Sequence, residues 1–156
     1  MIDIAIPGFG DLQLTTLVCD YNGTLARDGI LLDSARMWLP RIAKQLRVVV
    51  ATGDTFGTVR EQLRGLGCEI EIMPSTGQAE AKKGLVDRLG AQHVVALGNG
   101  RNDRLLVATA ALGIAVVGDE GAASDTVQAA DLVVRHVIDA FELLLTPRRL
   151  IATLRS

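Results

Sequence analysis

The sequence is poor in aromatic residues and in cysteine. The first shortage limits how the hydrophobic core can be built, and the second limits the role of disulfides. Aromatic residues make up 3% of its 156 residues, so a hydrophobic core has to be built from aliphatic side chains. The two cysteines, Cys19 and Cys68, are too few for a disulfide framework and are typical of reduced thiols. This cysteine usage favours a protein of the cytoplasm.

Basic charge and long apolar runs are also missing. The formal net charge is -2 and the basic residues are scattered, which argues against binding to nucleic acid or to an anionic membrane. No apolar run approaches the roughly 20 residues that a membrane span requires, and the first residues lack the pattern of a secretory signal. We therefore expect a soluble protein that acts on neither nucleic acid nor membranes.

Aliphatic residues are abundant and fall into short runs separated by segments of helical length. Hydrophobic residues make up 49% of the chain, mostly Ala, Val, Leu and Ile, as in buried parallel strands and the helices that cover them. A length of 156 residues suits one domain with its own core. The sequence predicts a single α/β domain over residues 1–156: a three-layer, Rossmann-like parallel sheet with helices on both faces.

Three of the apolar runs end abruptly in small polar residues. They are Leu17-Val18-Cys19-Asp20, Val48-Val49-Val50-Ala51-Thr52, and Val94-Val95-Ala96-Leu97-Gly98-Asn99. Because the carboxyl ends of parallel strands meet at one edge of a sheet, these three ends describe one ligand-binding crevice.

Other segments complete the predicted chain order. Alternating isoleucines at residues 2–6, followed by Pro7 and Gly8, predict a hairpin whose second segment runs from residue 12 to 20. An Asp-Gly turn at residues 28–29 should overhang the crevice. Residues 52–55 can start a helix, and further helices are predicted over 79–89 and 102–112.

The crevice collects a carboxylate at Asp20, a hydroxyl at Thr52, a carboxylate at Asp103 and a cation from the 79–89 helix. Leu85, Val86 and Leu89 define the inner stripe of that helix, which places Lys82 rather than Lys83 on the inward side. Glycine-rich turns add exposed backbone amides. A cation, a hydroxyl and free amides suit a phosphate, while paired carboxylates suit Mg²⁺, so phosphoryl transfer is the expected chemistry. Thr52 as a simple helix cap and Lys82 as a solvated charge are the alternatives.

Four motifs in this order resemble those of the haloacid dehalogenase superfamily. They are Asp20-Tyr21-Asn22-Gly23-Thr24, Ala51-Thr52-Gly53-Asp54, the lysine of the following helix, and Gly98-Asn99-Gly100-Arg101-Asn102-Asp103. The last motif, together with residues 112–116 and 129–133, is similar to the phosphorylation domain of P-type ATPases, so the chain resembles their soluble relatives. The resemblance implies a phosphatase that uses Mg²⁺ and a phosphoaspartyl intermediate.

The resemblance also implies a role for each motif residue. Asp20 would be the nucleophile and a metal ligand, and Lys82 would stabilise charge; Lys83 is the less favoured alternative. The metal ligands would be Asp20, the backbone carbonyl of Asn22, Asn99 and Asp103. The phosphate-binding residues would be Thr52, Gly53, Lys82 and Asn102. The catalytic residues would be Asp20, Asn22, Thr52 and Lys82.

Two positions depart from the family pattern, because Asn22 and Asn99 stand where relatives usually carry carboxylates. An amide cannot act as the general acid and base that residue 22 would supply, and fewer carboxylates weaken Mg²⁺ binding. The sequence therefore predicts a slow phosphatase or one that prefers good leaving groups, such as acyl phosphates. A non-catalytic phosphate- or nucleotide-binding module that retained the fold is the alternative.

The spacing of the motifs leaves no room for an inserted cap domain. Only 31 residues separate Asp20 from Thr52, and 29 separate Thr52 from Lys82. The crevice should then be open, and a relative without a cap tends to assemble into a homo-oligomer or to act on large substrates. A phosphorylated small molecule is the expected substrate class, and nothing in the sequence identifies its carbon skeleton.

Overall fold

A computed structural model describes residues 1–54 and 57–156 of the chain. Its strands are β1 (Ile2–Ile6), β2 (Gly10–Leu14), β3 (Thr16–Asp20), β4 (Ala26–Arg27), β5 (Ile30–Leu31), β6 (Arg47–Thr52), β7 (Cys68–Ile72), β8 (Val94–Gly98), β9 (Leu112–Val116) and β10 (Leu132–Val134). Its helices are α1 (Asp33–Ile42), α2 (Val59–Gln62), α3 (Gln78–Arg88), α4 (Arg104–Thr109), α5 (Ser124–Ala129), α6 (Val137–Leu145) and α7 (Pro147–Leu154). Two 3₁₀ turns cover Ala91–His93 and Arg101–Asp103.

A six-stranded sheet in the order β10-β9-β8-β3-β6-β7 forms the centre, and all of its neighbouring strands are parallel. Strand β3, which ends at Asp20, lies between β8 and β6. The three predicted strand ends are therefore adjacent, which confirms the α/β sheet expected from the sequence. No helix among the described residues is long and apolar enough to cross a membrane.

Strict alternation along the central strands divides the core between the two faces of the sheet. Leu17 and Cys19 of β3 pack on the face that also carries β1, β2, α1, α6 and α7. Val18 packs on the other face, with Leu85 and Val86 of α3 and Leu106 of α4. Asp20 has the same parity as Val18, so its side chain leaves the strand on the α3 side.

The N-terminal hairpin is present, but the second predicted segment proves to be two strands. β2 pairs antiparallel with β1, whereas β3 pairs with β6 and β8 in the main sheet. The chain changes partner at Thr15, whose backbone N–H donates to the carbonyl of His93 and whose carbonyl accepts from the N–H of Arg47. The hydropathy pattern does not reveal this break between β2 and β3, because both strands bury apolar side chains.

Two predicted helices are shorter than expected. The helix expected over 102–112 is a 3₁₀ turn followed by α4, and it ends at Thr109 because Leu112 begins β9. A Cβ on Gly113 would lie 2.2 Å from the carbonyl oxygen of Val107, so glycine is needed where α4 and β9 approach so closely. The helix expected to start within 52–55 begins at Val59 instead, although Asp54 Oδ1 accepts from its N–H at 3.3 Å. Thr55 lies outside the described residues.

The short segments beside the strand ends agree with the absence of an inserted cap. Between β3 and α1 the chain forms only the β4–β5 hairpin, which turns at Asp28 and Gly29, both with positive φ. The Tyr21 hydroxyl donates to the Gly29 carbonyl at 3.2 Å and anchors this hairpin beside the site. The carboxyl edge of the sheet is thus bordered by a small turn, as the Asp-Gly dipeptide predicts.

Candidate active site

The centre of the candidate site is a buried chain of three charges. Lys82 Nζ lies 2.6 Å from Asp20 Oδ1 and 2.6 Å from Asp103 Oδ1. Asp103 is fully buried, Lys82 is 1% exposed and Asp20 is 8% exposed. Because both neighbours of the ammonium are carboxylates, the three groups carry one net negative charge when all are ionised.

A local sequence pattern accounts for the position of each of these three residues. Asp20 ends a buried strand, and Lys82 occupies the same face of α3 as Leu85 and Val86. Asp103 closes a tight turn after β8, where its Oδ2 accepts the backbone N–H groups of Asn99 at 3.0 Å and Gly100 at 2.9 Å. Lys83, the other candidate, points outward and pairs with Asp87 at 2.7 Å.

Burial and the charges of neighbouring side chains shift the pKa values of Asp20 and Lys82. Burial, together with the nearby Asp103 carboxylate, raises the pKa of Asp20 to about 7, although the Lys82 ammonium acts in the opposite direction. Burial alone would lower the pKa of Lys82, but the two carboxylates outweigh it and the pKa is raised. Lys82 therefore stays charged, while Asp20 is poised to ionise when further positive charge approaches.

Thr52 and Gly53 lie where β6 ends, beside Asp20. The Thr52 hydroxyl oxygen accepts the backbone N–H of Asp54 at 3.1 Å, so its own proton remains to be donated. Asp54 has φ of 47°, which turns the chain sharply after the strand. Together these features leave a hydroxyl and a backbone turn at the strand end, as an anion-binding loop requires.

Asn99 connects three loops. Its Oδ1 accepts the Thr24 hydroxyl at 3.3 Å, and its Nδ2 donates to the Gly121 carbonyl at 3.1 Å. Its own carbonyl accepts the N–H of Ala123 at 2.8 Å. Gly23, with φ of 81°, passes so close that a Cβ there would meet the Asn99 amide at 2.3 Å. An amide both donates and accepts, which suits this position in a way that a carboxylate cannot.

Asn22 and Asn102, the other two asparagines of the motifs, are half-buried. Asn102 Nδ2 donates to Gln78 Oε1 at 2.8 Å. The Oδ1 atom of Asn22 is buried and has no hydrogen-bond partner among the described residues. No hydrogen bond recorded for the described residues joins the Asn22 or Thr52 side chain to Asp20, Lys82 or Asp103.

The residues present fit a hard cation that keeps several water molecules among its ligands. The two buried carboxylates of Asp20 and Asp103 offer oxygen ligands, and the buried Oδ1 of Asn22 has no hydrogen-bond partner among the described residues. Mg²⁺ characteristically binds through one or two carboxylates while keeping several waters. Within residues 1–54 and 57–156 there is no cluster of three His, Cys, Asp or Glu side chains able to enclose a metal. Mg²⁺ is thus compatible with the site, whereas a closed, all-protein zinc centre does not fit it.

Two contributors were not singled out from the sequence. Gln78, four residues before Lys82 on α3, contacts Asn102, and that spacing was the one available signal. The loop at residues 118–123 reaches the site through Gly121 and Ala123, and no sequence pattern announces this contact.

Comparison with known proteins identifies one relative in sequence and several in structure. No family model matches the chain. The uncharacterized protein MJ0073 of Methanocaldococcus jannaschii is 53% identical over 63 residues, which cover 40% of this chain and 68% of that protein.

Solved structures share the fold at low sequence identity. A 3-deoxy-D-manno-octulosonate 8-phosphate phosphatase from Moraxella catarrhalis, solved with magnesium and phosphate ions, matches with a TM-score of 0.72 and 20% identity over 90% of this chain and 93% of that chain. The cobalt-bound form of a deoxy-D-mannose-octulosonate 8-phosphate phosphatase from Haemophilus influenzae gives a TM-score of 0.71 and 15% identity over 88% of this chain and 90% of that chain. A putative haloacid dehalogenase superfamily hydrolase from Legionella pneumophila gives 0.71 and 19% over 90% and 87%. The chain therefore has the fold of haloacid dehalogenase superfamily hydrolases.

Proposed function

This chain belongs to the same family as the uncharacterized protein MJ0073 and has the haloacid dehalogenase fold, and from that premise we propose that it is a Mg²⁺-dependent phosphohydrolase. The observation that carries the proposal is the buried contact of Lys82 with Asp20 and Asp103, 2.6 Å from each, where three parallel strands end. Such a centre offers a carboxylate nucleophile, a fixed cation and oxygen ligands within one crevice. The phosphatases that share the fold, solved with magnesium or cobalt bound, support the same chemistry.

Asp20 acts as the nucleophile in this mechanism. A carboxylate oxygen of Asp20 attacks phosphorus, the bond from phosphorus to the leaving-group oxygen breaks, and the leaving group departs with that electron pair. Water then attacks the aspartyl phosphate at phosphorus, which releases inorganic phosphate and regenerates the carboxylate. Asp20 has to be ionised for the first step, and its pKa of about 7 means that added positive charge favours the reactive form.

Lys82, Thr52 and Asn102 stabilise the phosphoryl group. Lys82 remains protonated and offsets the repulsion between Asp20 and a phosphate dianion. The hydroxyl of Thr52 and the amide of Asn102 donate hydrogen bonds to phosphoryl oxygens, and the Gly53 turn lets the backbone approach. Mg²⁺, held by Asp20, Asp103 and an oxygen of Asn22, would neutralise developing negative charge on the transferred group.

The substrate class follows from what residue 22 cannot do. The Asn22 amide has no proton of suitable pKa to give to a leaving group, so the leaving group has to depart as a stable anion. Acyl phosphates meet this requirement, as does the reporter p-nitrophenyl phosphate. We place the substrate among phosphorylated small molecules with good leaving groups.

Turnover of acetyl phosphate and of p-nitrophenyl phosphate with Mg²⁺ tests this function directly. The purified protein should release phosphate, Asp20→Asn should not, and the surface variant Asp87→Asn should match the wild type. Rapid quenching with radiolabelled acetyl phosphate should trap label on the wild type alone. Equal rates in wild type and Asp20→Asn would refute catalysis at this site.

A second candidate is a binding module that keeps the fold without turnover. It is favoured by one observation, namely that the amide of Asn99 both accepts from Thr24 and donates to Gly121 where relatives are expected to carry a carboxylate. Calorimetry with inorganic phosphate and Mg²⁺ separates the two readings: tight binding with no hydrolysis of either substrate supports the module, and any Asp20-dependent hydrolysis supports the enzyme.

Homo-oligomer formation is part of the proposal, because a site without an inserted cap is open to solvent on one side. Sedimentation velocity at several protein concentrations checks it. A monomer that is fully active at nanomolar concentration would show that no second copy is needed.

A further inference from the structure

The Gln78 side chain lies across the candidate site in a way that the four motifs do not explain. Its Oε1 accepts the Nδ2–H of Asn102 at 2.8 Å. Its Nε2 lies next to Gly53, since an ideal Cβ built on that glycine would be only 2.8 Å from it. One neutral side chain therefore touches two of the segments expected to bind phosphate.

The sheet order shows what this contact spans. Gly53 follows β6 and Asn102 follows β8, and β3 lies between those two strands. A side chain that reaches both turns therefore bridges the strand that ends at Asp20. Gln78 and Lys82 are four residues apart on α3, so they project from one face of the helix. Lys82 makes the deeper bridge with charge, and Gln78 makes the shallower one with an amide.

A neutral amide suits the shallower position. A carboxylate would repel a phosphate dianion, and a lysine would compete with Lys82 for Asp20. The amide accepts from Asn102 through its oxygen, which fixes the Asn102 side chain in one orientation, and it packs on Gly53 with its nitrogen. Any larger residue at 53 would displace it.

We propose that Gln78 is a positioning residue that holds Asn102 and the Gly53 turn at the separation a bound phosphoryl group requires. This inference rests on the proposed function for its ligand, and it adds a residue outside the recognised motifs. Gln78 acts through Asn102, so its removal should weaken phosphate binding more than it slows the chemical step at Asp20.

Inorganic phosphate binding in the presence of Mg²⁺, measured by calorimetry, is the primary test because it does not need turnover. Gln78→Met keeps the side-chain length and removes both polar atoms, and the loss of one net hydrogen bond should raise the phosphate Kd by roughly three- to tenfold. Gln92→Met, at the exposed 3₁₀ turn of Ala91–His93, is the matched control and should leave the Kd unchanged. Thermal melts establish that each variant is folded.

A double-mutant cycle distinguishes positioning from general damage. Asn102→Ala should weaken phosphate binding, and Gln78→Met added to it should have little further effect, because the partner through which Gln78 acts is gone. With p-nitrophenyl phosphate, KM should rise with the phosphate Kd in Gln78→Met while kcat stays within about twofold.

The outcomes separate the inference from the function beneath it. Additive losses in the double variant, or a Gln78→Met protein that binds phosphate as well as the wild type, would overturn the positioning role alone. A folded wild type that neither binds phosphate nor hydrolyses either substrate would overturn the proposed function and this inference with it.

Discussion

Charged residues form one part of the candidate site, and amides form the part beside it. Asp20, Lys82 and Asp103 are buried, and Lys82 Nζ lies 2.6 Å from a carboxylate oxygen of each aspartate. The amides of Asn99, Asn102 and Gln78 instead link loops, through Thr24, Gly121 and one another. The charged part holds the residues that we propose as reacting groups, whereas the amides link the segments that surround them.

Substitutions in the charged part and in the amide part of the site should therefore have different effects. A buried ion that loses its partner is left uncompensated in a medium of low dielectric constant, so its loss affects stability and activity together. The loss of one hydrogen bond between neutral groups lowers the free energy of unfolding only modestly. Replacing one of these amides should therefore change the positions of the linked segments before it affects folding. The four predictions below test this difference, from the largest expected effect to the smallest.

Lys82→Met should have the largest effect. It leaves Asp20 and Asp103 buried without their shared cation, and breaking a buried ion pair in this way costs about 3–5 kcal/mol of unfolding free energy. Urea denaturation and phosphate release measure the two losses. Lys83→Met is the control, because that side chain is exposed and, within the part of the chain that the structure describes, forms its ion pair with Asp87 alone. A stable, active Lys82→Met protein would remove the lysine from the mechanism.

The metal-free protein should lose stability between about pH 4 and pH 7 because of Asp20. Its pKa is about 7 in the folded protein and 3.8 ordinarily, so the folded state binds a proton more tightly and is favoured at low pH. The raised pKa of Lys82 leaves it charged throughout this range. At roughly 1.4 kcal/mol per pKa unit, the change from 3.8 to about 7 corresponds to a loss on the order of 4 kcal/mol.

Chemical denaturation in EDTA across that pH range checks this expectation by comparing wild type with Asp20→Asn, which cannot titrate. The difference in stability between the two proteins should shift in favour of the variant as the pH rises. Added Mg²⁺ should reduce the shift by favouring the ionised carboxylate. A difference that does not change with pH would contradict the raised pKa.

Asn22→Asp should convert an amide into the missing proton donor. If Asn22 contributes only its backbone carbonyl oxygen to the metal site, the change leaves that ligand in place and adds general acid–base catalysis, which typically supplies 10²–10⁴-fold. We expect about 10²-fold in kcat for p-nitrophenyl phosphate at saturating Mg²⁺, since repulsion from Asp20 reduces the gain. Asn22→Ala should show no gain. An unchanged or lower kcat in a folded Asn22→Asp protein would favour the binding module.

Asn99→Asp should have the smallest effect, and it should be structural. Aspartate can still accept from Thr24 but cannot donate to the Gly121 carbonyl, so about 1–2 kcal/mol of stability should be lost. Thermal melting with and without Mg²⁺ provides the measurement. A variant that is as stable as the wild type and binds Mg²⁺ more tightly would instead support a metal ligand at position 99.

Much of this architecture could be predicted from the sequence because it depends on local patterns. Apolar runs that stop at polar residues located β3, β6 and β8, and the helical stripe that contains Leu85 and Val86 selected Lys82 over Lys83 for the inward face. The structure brings Asp20, Lys82 and Asp103 together as expected, while the catalytic roles of these residues stay predictions. The break at Thr15 was missed, because apolar side chains continue on both sides of it and only the change of pairing partner marks it.

The sequence by itself determined the α/β class, the N-terminal hairpin and the set of strand ends that meet, because strand periodicity, helix stripes and turn residues are properties of neighbouring positions. Only the tertiary structure decided which polar atoms meet. Gln78 reaches Gly53 and Asn102, and Asn99 reaches Thr24 and Gly121, across as many as 75 positions of the chain. Such contacts depend on the order of strands in the sheet and on the path of the loops between them, which no local pattern encodes.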